Sequence, residues 1–242
     1  AAVLVESHDC RIVFIHNNEL AVQRRFPPGS LMKPMSAAVL CENGLKPEMS
    51  CLCCGHFVPD CGFSSSDEKR FNLSRELKTG KKSFPCSLYS GHGRISLREA
   101  LVRSCNVYFL NAAQSCPSFY EKLVAMWKMN DPLIPGLSAE NTVPREVPPF
   151  QQLSAAIGEG PGVLVSALKV AENYSAFFEW TPLMEPHANG SPVVRAEISF
   201  REETLSVIRT ALSGTIKNGT LSSLRIPEGC TVLAGKTGTS TD

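Results

Sequence analysis

The chain has 242 residues, of which 43% are hydrophobic, so it is long enough and apolar enough to bury a substantial core. Its 24 basic and 23 acidic side chains leave a formal net charge of +1, which argues against a nucleic-acid-binding surface. No uninterrupted apolar run approaches the roughly 18 residues that a membrane-spanning helix needs.

The first predicted elements are a hairpin and a helix. Residues 2–5 and 11–15 are apolar runs separated by a polar turn at 7–9, which predicts two paired strands. A Pro-Pro-Gly turn at 27–29 then precedes an apolar helical run that stops at 43–44. This context places Ser30 at the N-terminus of a helix, where exposed N–H groups favour developing negative charge.

Ser30 and Lys33 form a Ser-x-x-Lys motif in this helix. Residues three apart lie on the same helical face, so the lysine amine can reach the serine hydroxyl. A free hydroxyl is a poor nucleophile and needs a base to take its proton. The pair therefore predicts a serine nucleophile with a lysine base.

Cysteines are concentrated in the next segment, which contains five of the ten in the chain. Cys51 and Cys54 have the Cys-x-x-Cys spacing of zinc sites, and three histidine or aspartate residues are nearby in sequence. Two alternatives stay open, a structural zinc ion or one or two disulfides. The predicted zinc ligands are Cys51, Cys54, Cys61 and Cys86.

A second helix start is predicted at Ser96, because Ser96 and Glu99 have the spacing of a capping box. The apolar pattern that follows leads to Ser104-Cys105-Asn106. Cys105 is expected to point away from its two polar neighbours. Another capping box is predicted at Ser199 and Glu202, before a buried helical stripe formed by Leu205, Ile208, Leu212 and Ile216.

The last motif is Lys236-Thr237-Gly238-Thr239, which closes an apolar run at 230–234 that is predicted to be a buried strand. Short motifs also occur by chance. Ser-x-x-Lys recurs at Ser66 and at Ser166, and Lys-Thr-Gly recurs at 78–80. The copies at 66–69 and 78–80 lie in polar sequence, and Ser166 lies in an apolar helical segment without a turn before it.

Taken in order, the motifs resemble those of the transpeptidase domain of penicillin-binding proteins. The similarity includes the flanks: residues 28–34 are similar to the family's nucleophile segment, 91–109 to its second motif, 157–160 to its glycine-rich turn and 234–240 to its last motif. It extends over nearly the whole chain, which is more specific than any one tripeptide.

The resemblance implies an α/β (α+β) fold of the β-lactamase and transpeptidase type, in which an antiparallel sheet packs on helices beside a helical subdomain. The chain would be one transpeptidase domain, 1–242, and a fragment, since the family's last strands and closing helix would follow residue 242. Roughly 1–45 and 195–242 would form the sheet subdomain, and roughly 46–194 the helical one.

The resemblance also implies residue roles. Ser30 would form an acyl-enzyme with Lys33 as its base, and Ser104 would relay a proton to the leaving amine. Asn106 would hydrogen-bond the substrate amide and hold Lys33. The oxyanion would bind the backbone N–H groups of Ser30 and Thr239.

The remaining site residues would bind the terminal carboxylate of the substrate. Lys236, Thr237 and Thr239 offer a charge and hydroxyl donors that suit an anion. Gly238 has no side chain, so a substrate strand can lie against it. Catalysis in this family needs no cofactor, and any zinc would be structural.

The implied substrate is a peptidoglycan stem peptide ending in D-Ala-D-Ala, and β-lactams would acylate Ser30. Such proteins are membrane-anchored, with cell-wall synthesis partners, and act outside the cytoplasmic membrane, so an anchor is expected outside this chain. Two alternatives remain. One is a serine β-lactamase or β-lactam sensor, although the chain lacks the Glu-x-x-Leu-Asn segment of class A lactamases. The other is a non-catalytic scaffold.

Overall fold

The computed structural model describes residues 1–57, 84–133, 143–144, 146–178, 182–229, 231–232 and 234–239. Several predictions fall outside this part of the chain. They are the zinc ligand Cys61, the Ser-x-x-Lys copy at 66–69 and the Lys-Thr-Gly copy at 78–80.

The described helices surround the segment that follows Ser30. In chain order they are α1 (Met32–Glu42), α2 (Leu97–Val102), α3 (Asn106–Gln114), α4 (Phe119–Met126), α5 (Pro149–Ser154), α6 (Ala167–Ser175) and α7 (Glu202–Asn218). Shorter turns of helix lie at Glu19–Gln23 (a π-helix) and at Gly29–Leu31 and Ala155–Ile157 (3₁₀).

The strands form antiparallel pairs. In chain order they are β1 (Ala2–Val5), β2 (Ile12–His16), β3 (Ser50–Cys53), β4 (His56–Phe57), β5 (Phe84–Pro85), β6 (Gly93–Ser96), β7 (Leu183–Met184) and β8 (Val194–Ala196). β1 pairs with β2, β3 with β6, β4 with β5, and β7 with β8. The first pair, in which Ala2 lies opposite His16, confirms the predicted N-terminal hairpin.

Helix α1 is the centre of the core. Every residue from Met32 to Cys41 is buried, which is the pattern of a helix enclosed on all sides rather than an amphipathic surface helix. It packs against α3, α4 and α7, and the indole Nε1 of Trp127 donates to Met35 O at 3.1 Å. The residues after Ser30 are therefore held rigidly from several directions.

The two predicted capping boxes have different outcomes. Ser96 caps α2 with both reciprocal hydrogen bonds to Glu99, as predicted. The box at Ser199 is wrong, because α7 begins at Glu202 with Arg201 as its N-cap and no capping side chain. The backbone N–H of Arg201 instead donates to Glu42 Oε1 at 3.0 Å, so a contact from the end of α1 determines where this helix starts.

The strand predicted at 230–234 is also wrong for the residues that the structure describes. Thr231 and Val232 are exposed, and neither they nor Ala234 lie in a strand. A strand needs a neighbour for its backbone groups. Here the next N–H, that of Gly235, donates to Leu212 O of α7 at 3.1 Å, so this segment is held by a helix.

The mixture of helices with antiparallel strands confirms the predicted fold class. The division into a sheet subdomain and a helical subdomain stays a prediction. Within the described ranges, no helix has both the length and the apolar character needed to cross a membrane.

Candidate active site

Ser30 lies in the 3₁₀ turn Gly29–Leu31, directly before α1. Its side chain is half-buried, whereas the residues from Met32 to Cys41 are buried. The hydroxyl of Tyr174 donates to Leu31 O at 2.8 Å and anchors this turn to α6. The serine is thus presented at a helix N-terminus, as predicted.

A pair of glycines fixes the turn from its other side. The N–H of Gly29 donates to Gly158 O at 2.9 Å. Gly158 has a φ of +72°, and a Cβ atom on it would lie 2.1 Å from Gly29 O. Only glycine tolerates both the left-handed backbone and this approach. The turn at 157–160, noted in the sequence for its glycines, therefore packs directly on the nucleophile turn.

The Lys33 side chain is completely buried at the centre of the site. Its Nζ atom lies 3.0 Å from Ser30 Oγ, so the predicted contact within the Ser-x-x-Lys motif is present. Three further acceptors surround the amine: Ser104 O at 2.6 Å, Ser104 Oγ at 3.0 Å and Asn106 Oδ1 at 2.6 Å. Side chains from distant parts of the sequence therefore meet at one nitrogen.

The geometry of these partners is compatible with a neutral amine. Two of them, Ser104 O and Asn106 Oδ1, can only accept hydrogen bonds, and they are the two nearest at 2.6 Å. A neutral amine has two N–H donors for these oxygens and one lone pair. That lone pair is left to accept the proton of Ser30 Oγ, which is the arrangement a general base requires.

Burial is what favours the neutral form. Desolvation, assisted by the positive charge of Lys236, lowers the pKa of Lys33 from 10.5 to about 7. About half of the Lys33 side chains are then uncharged at pH 7. An ordinary surface lysine would be almost entirely protonated at this pH and could not act as a base.

Ser104 occupies the junction between α2 and α3 in a left-handed conformation, with a φ of +57°. This region is unfavourable for a residue with a Cβ atom. The junction is held by the N–H of Cys105, which donates to Ala100 O at 2.9 Å. The consequence is that both the carbonyl and the hydroxyl of Ser104 face the Lys33 amine.

Asn106 is the first residue of α3 and links Lys33 to β5. Its Nδ2 donates to Pro85 O at 2.8 Å, and since this partner can only accept, the amide must turn Oδ1 toward Lys33. The structure thus brings Asn106 to the place predicted for it beside Lys33.

Lys236 completes the group. Its Nζ donates to Ser104 Oγ and to Thr237 O, both at 3.0 Å. Burial lowers the pKa of Lys236 to about 8, so most of these side chains remain positive at pH 7. Ser104 Oγ therefore lies between two amines, in a position to pass a proton from one side of the site to the other.

The segment that carries Lys236 is fixed by α7 rather than by a sheet. Thr215 Oγ1, completely buried in that helix, donates to Gly235 O at 2.6 Å. Thr237 Oγ1 donates to Thr220 Oγ1 at 2.9 Å, and Thr239 is exposed at the surface.

Gly238 lies against the residue that follows the predicted nucleophile. A Cβ atom on Gly238 would lie 2.6 Å from Leu31 Cγ. A side chain at this position would therefore push the segment away from the Ser30 turn.

Tyr174 and Thr215 support the site and were not predicted from the sequence. Thr215 had a detectable signal, because it lies three residues after Leu212 and so interrupts the buried stripe of α7 with a polar side chain. A buried threonine needs a partner, and the segment at 235 supplies one. Tyr174 carries no comparable signal, since an aromatic residue in a helix is ordinarily core.

The second copy of the first motif provides an internal comparison. Ser166 is in fact the N-cap of α6, so the prediction that it lies inside a helical segment is wrong. Its Oγ accepts the backbone N–H of Lys169 at 3.2 Å, while Lys169 Nζ pairs with Glu172 Oε2 at 2.9 Å. Here the serine caps the helix and the lysine amine pairs with a carboxylate, so the motif alone does not bring the amine to the serine hydroxyl.

The predicted zinc quartet needs correction. Cys51 and Cys54 lie in different environments, because Cys51 is buried within β3 whereas Cys54 follows the last residue of that strand and is exposed. Cys86 instead lies with Cys53, His92 and Cys105. Cys105 does point away from the Lys33 amine, toward these sulfurs. None of the eight cysteines that the structure describes is in a disulfide.

Comparisons with known proteins agree with this geometry. A family model for the penicillin binding protein transpeptidase domain matches residues 1–241. No curated protein matches the sequence.

Three solved structures illustrate the similarity of fold. One is a peptidoglycan synthase complex, with a TM-score of 0.73, 19% identity and coverage of 98% of this chain and 45% of the other. The transpeptidase domain of Burkholderia pseudomallei penicillin-binding protein 3 has a TM-score of 0.71 and 18% identity, with coverage of 93% and 65%. Mycobacterium tuberculosis penicillin-binding protein A, as a penicillin G acyl-enzyme, has a TM-score of 0.61 and 20% identity, with coverage of 81% and 45%. The chain therefore spans about half to two thirds of the proteins it resembles.

Proposed function

We propose that the chain, which belongs to the penicillin-binding protein transpeptidase domain family, is a serine DD-transpeptidase that cross-links peptidoglycan. The donor would be a stem peptide ending in D-Ala-D-Ala, and the acceptor an amine of a neighbouring stem. Penicillins would acylate the same serine. The observation that supports this most strongly is the buried Lys33 amine, 3.0 Å from Ser30 Oγ.

In the acylation step, Ser30 Oγ attacks the carbonyl carbon of the penultimate D-alanine while Lys33 Nζ takes the hydroxyl proton. The tetrahedral oxyanion is stabilised by backbone N–H groups, with those of Ser30 and Thr239 as the candidates. The C–N bond then breaks, and the leaving amine of the terminal D-alanine receives a proton through Ser104 Oγ. Ser104 suits this relay because its hydroxyl lies 3.0 Å from the Nζ atoms of both Lys33 and Lys236.

In the second step, the acceptor amine attacks the ester carbonyl. Its proton returns to the site through the same groups, the Ser30 ester bond breaks, and the hydroxyl is restored. A new amide joins the two stems. No cofactor takes part in either step.

The carboxylate end of the donor would bind beside Lys236, which carries the positive charge at this side of the site. Thr237 and Thr239 supply hydroxyl donors, and Thr237 Oγ1 already forms a hydrogen bond with Thr220. Asn106 Oδ1 is engaged with Lys33 and its Nδ2 with Pro85 O. Asn106 therefore acts first by holding the amine, and its predicted contact with the substrate amide requires Nδ2 to exchange partners.

The proposed substrate fixes the proposed location. Cross-linking takes place outside the cytoplasmic membrane, so the chain would act there, attached to a membrane anchor and accompanied by other cell-wall synthesis proteins.

The experiment that tests this proposal is covalent labelling with penicillin followed by intact mass spectrometry. The wild-type chain is compared with Ser30→Ala and with Ser166→Ala, which removes the serine of the second Ser-x-x-Lys copy. We expect one stable adduct in the wild type and in Ser166→Ala, and none in Ser30→Ala. Circular dichroism verifies that each variant is folded.

Other outcomes favour other functions. An adduct that disappears within minutes, with hydrolysed penicillin accumulating, would indicate a β-lactamase. A folded wild-type chain that forms no adduct would indicate a non-catalytic scaffold. A stable adduct followed by amide formation with an added D-amino acid or amine acceptor would support transfer rather than hydrolysis.

A further inference from the structure

A second cluster of reactive side chains lies beside the active site and takes no part in the acyl transfer. It consists of Cys53, Cys86, His92 and Cys105, whose ligand atoms all lie within 4.8 Å of one another. The three cysteines are at most 2% exposed and the histidine is half-buried. Three thiols and an imidazole are the donors that structural zinc sites use.

The separations within the cluster match a tetrahedral ion. The Nδ1 atom of His92 lies 3.5 Å from both Cys53 Sγ and Cys86 Sγ, and Cys86 Sγ lies 3.8 Å from Cys105 Sγ. Zinc–sulfur bonds of about 2.3 Å and zinc–nitrogen bonds of about 2.05 Å give tetrahedron edges of about 3.8 Å between sulfurs and about 3.5 Å between sulfur and nitrogen. A disulfide instead needs sulfurs about 2 Å apart.

The backbone around the cluster is shaped to hold it. Two glycines with positive φ allow the loops after β3 and before β6 to cross: a Cβ on Gly55 would lie 1.9 Å from Tyr89 O, and one on Gly91 would lie 2.1 Å from Cys53 O. The N–H of Cys86 donates to Gly55 O at 2.7 Å across this crossing. Three of the four ligands are therefore placed by backbone contacts before any metal binds.

The donor set also indicates which metal it suits. Thiolate and imidazole ligands suit zinc, whereas carboxylate oxygens suit calcium and magnesium. No carboxylate belongs to the cluster, so the donor set favours zinc over calcium or magnesium.

We propose that Cys53, Cys86, His92 and Cys105 bind one structural Zn²⁺ ion. The fourth ligand links the metal site to the candidate active site, because Cys105 lies between Ser104 and Asn106 in the sequence. The metal ties the turn that carries both of these residues to β3 and to the loop before β6. Its role is to fix that turn, and the acyl transfer itself does not pass through the metal.

The test measures metal content and ligand type on the full chain. Zinc is quantified by plasma mass spectrometry after purification under reducing conditions, and Co²⁺ is then titrated into the metal-stripped protein. We expect one zinc per chain and a tetrahedral Co²⁺ spectrum with a thiolate-to-metal charge-transfer band.

Two variants on one strand provide the matched comparison. Cys53→Ser removes a ligand, whereas Cys51→Ser changes an equally buried cysteine on the same face of β3, outside the cluster. We expect zinc to fall well below one per chain in Cys53→Ser and in His92→Ala, and to stay at one in Cys51→Ser. A wild-type chain with neither zinc nor a Co²⁺ charge-transfer band overturns the proposal, as does equal metal loss in Cys51→Ser and Cys53→Ser.

The wild-type Co²⁺ titration keeps the test valid if a cysteine variant fails to fold. The outcome is also separate from penicillin labelling. A chain that is acylated at Ser30 without metal refutes only the zinc site, and a zinc-bound chain that is never acylated refutes only the transpeptidase.

Discussion

The charge of Lys236 is expected to set the pH at which Lys33 becomes a base. Both Nζ atoms lie 3.0 Å from Ser104 Oγ, so they are no more than about 6 Å apart. At an effective dielectric constant of about 20, two positive charges at this distance repel by about 3 kcal/mol, which corresponds to about 2 pKa units. Desolvation is the larger cause of the lowered pKa of Lys33, and Lys236 is the next.

Lys236→Met removes the charge and keeps most of the side-chain volume. We expect the pKa of Lys33 to rise from about 7, moving the acid limb of the acylation profile up by about 1 to 2 pH units after screening by salt. The neutral fraction of Lys33 at pH 7 falls roughly tenfold as a result. The absolute rate also falls because the carboxylate loses its partner, so the midpoint is the informative quantity.

The assay is the second-order rate of acylation by a fluorescent penicillin from about pH 5 to 10, since this constant reports ionisations of the free enzyme. Wild type is expected to give a bell between pKa values of about 7 and about 8. Lys236→Arg is the control: it stays charged, so its acid limb remains in place and its basic limb disappears. An acid limb that does not move in Lys236→Met would refute the reasoning and assign the low pKa of Lys33 to burial alone.

Three further predictions test the framework of the site. Between about pH 8 and 10, the free energy of unfolding should rise more steeply with pH in wild type than in Lys33→Met, by about 1.4 kcal/mol per pH unit. The reason is that Lys33 is neutral in the native protein in this range, whereas the unfolded side chain is protonated. Equal slopes in chemical denaturation would contradict a lowered pKa of Lys33. Ser104→Ala and Ser104→Gly should both slow acylation by about 100-fold or more, because both remove the hydroxyl. The free energy of unfolding should be about 1 kcal/mol higher for the Gly variant than for the Ala variant, because residue 104 has a φ of +57°. Unequal acylation rates would show that the backbone, not the hydroxyl, limits acylation. Gly158→Ala should destabilise the protein by about 2 kcal/mol or more. Gly160→Ala is the control: its Cβ would meet only Ser154 Oγ at 3.4 Å, so it should cost about 1 kcal/mol. Similar melting temperatures for the two variants would argue against the close approach of Gly158 to Gly29.

Local sequence predicted the parts of the site that depend on local geometry. Ser30 and Lys33 share a helical turn, and the capping box at Ser96 marks the helix before Ser104. These features are determined by neighbours three residues away. The meeting of Lys33 with Asn106 and Lys236 is not local, and it was predicted only through the order of motifs that the family shares.

Two of the errors have the opposite character, because each involves a distant partner. The start of α7 is set by Glu42, 159 residues before Arg201. Thr231, Val232 and Ala234 lie outside any strand, and the segment that follows them is held by α7 through the Gly235 N–H. The Cys-x-x-Cys spacing suggested a shared site on a turn, whereas Cys51 lies buried within β3 and Cys54 lies exposed after its end.

The consecutive residues 104–106 connect the candidate active site at Lys33 with the cluster of cysteines and His92. The left-handed backbone at Ser104, followed at once by the start of α3, sends the side chains of Ser104 and Asn106 toward Lys33 and that of Cys105 toward the sulfur cluster. An α-helix, whose successive side chains project about 100° apart, could not place residues 104 and 106 on one side and residue 105 on the other. The strain at Ser104 therefore has a structural use. If the proposed zinc holds Cys105, its binding energy fixes the backbone that keeps the two nearest acceptors, Ser104 O and Asn106 Oδ1, at 2.6 Å from the Lys33 amine.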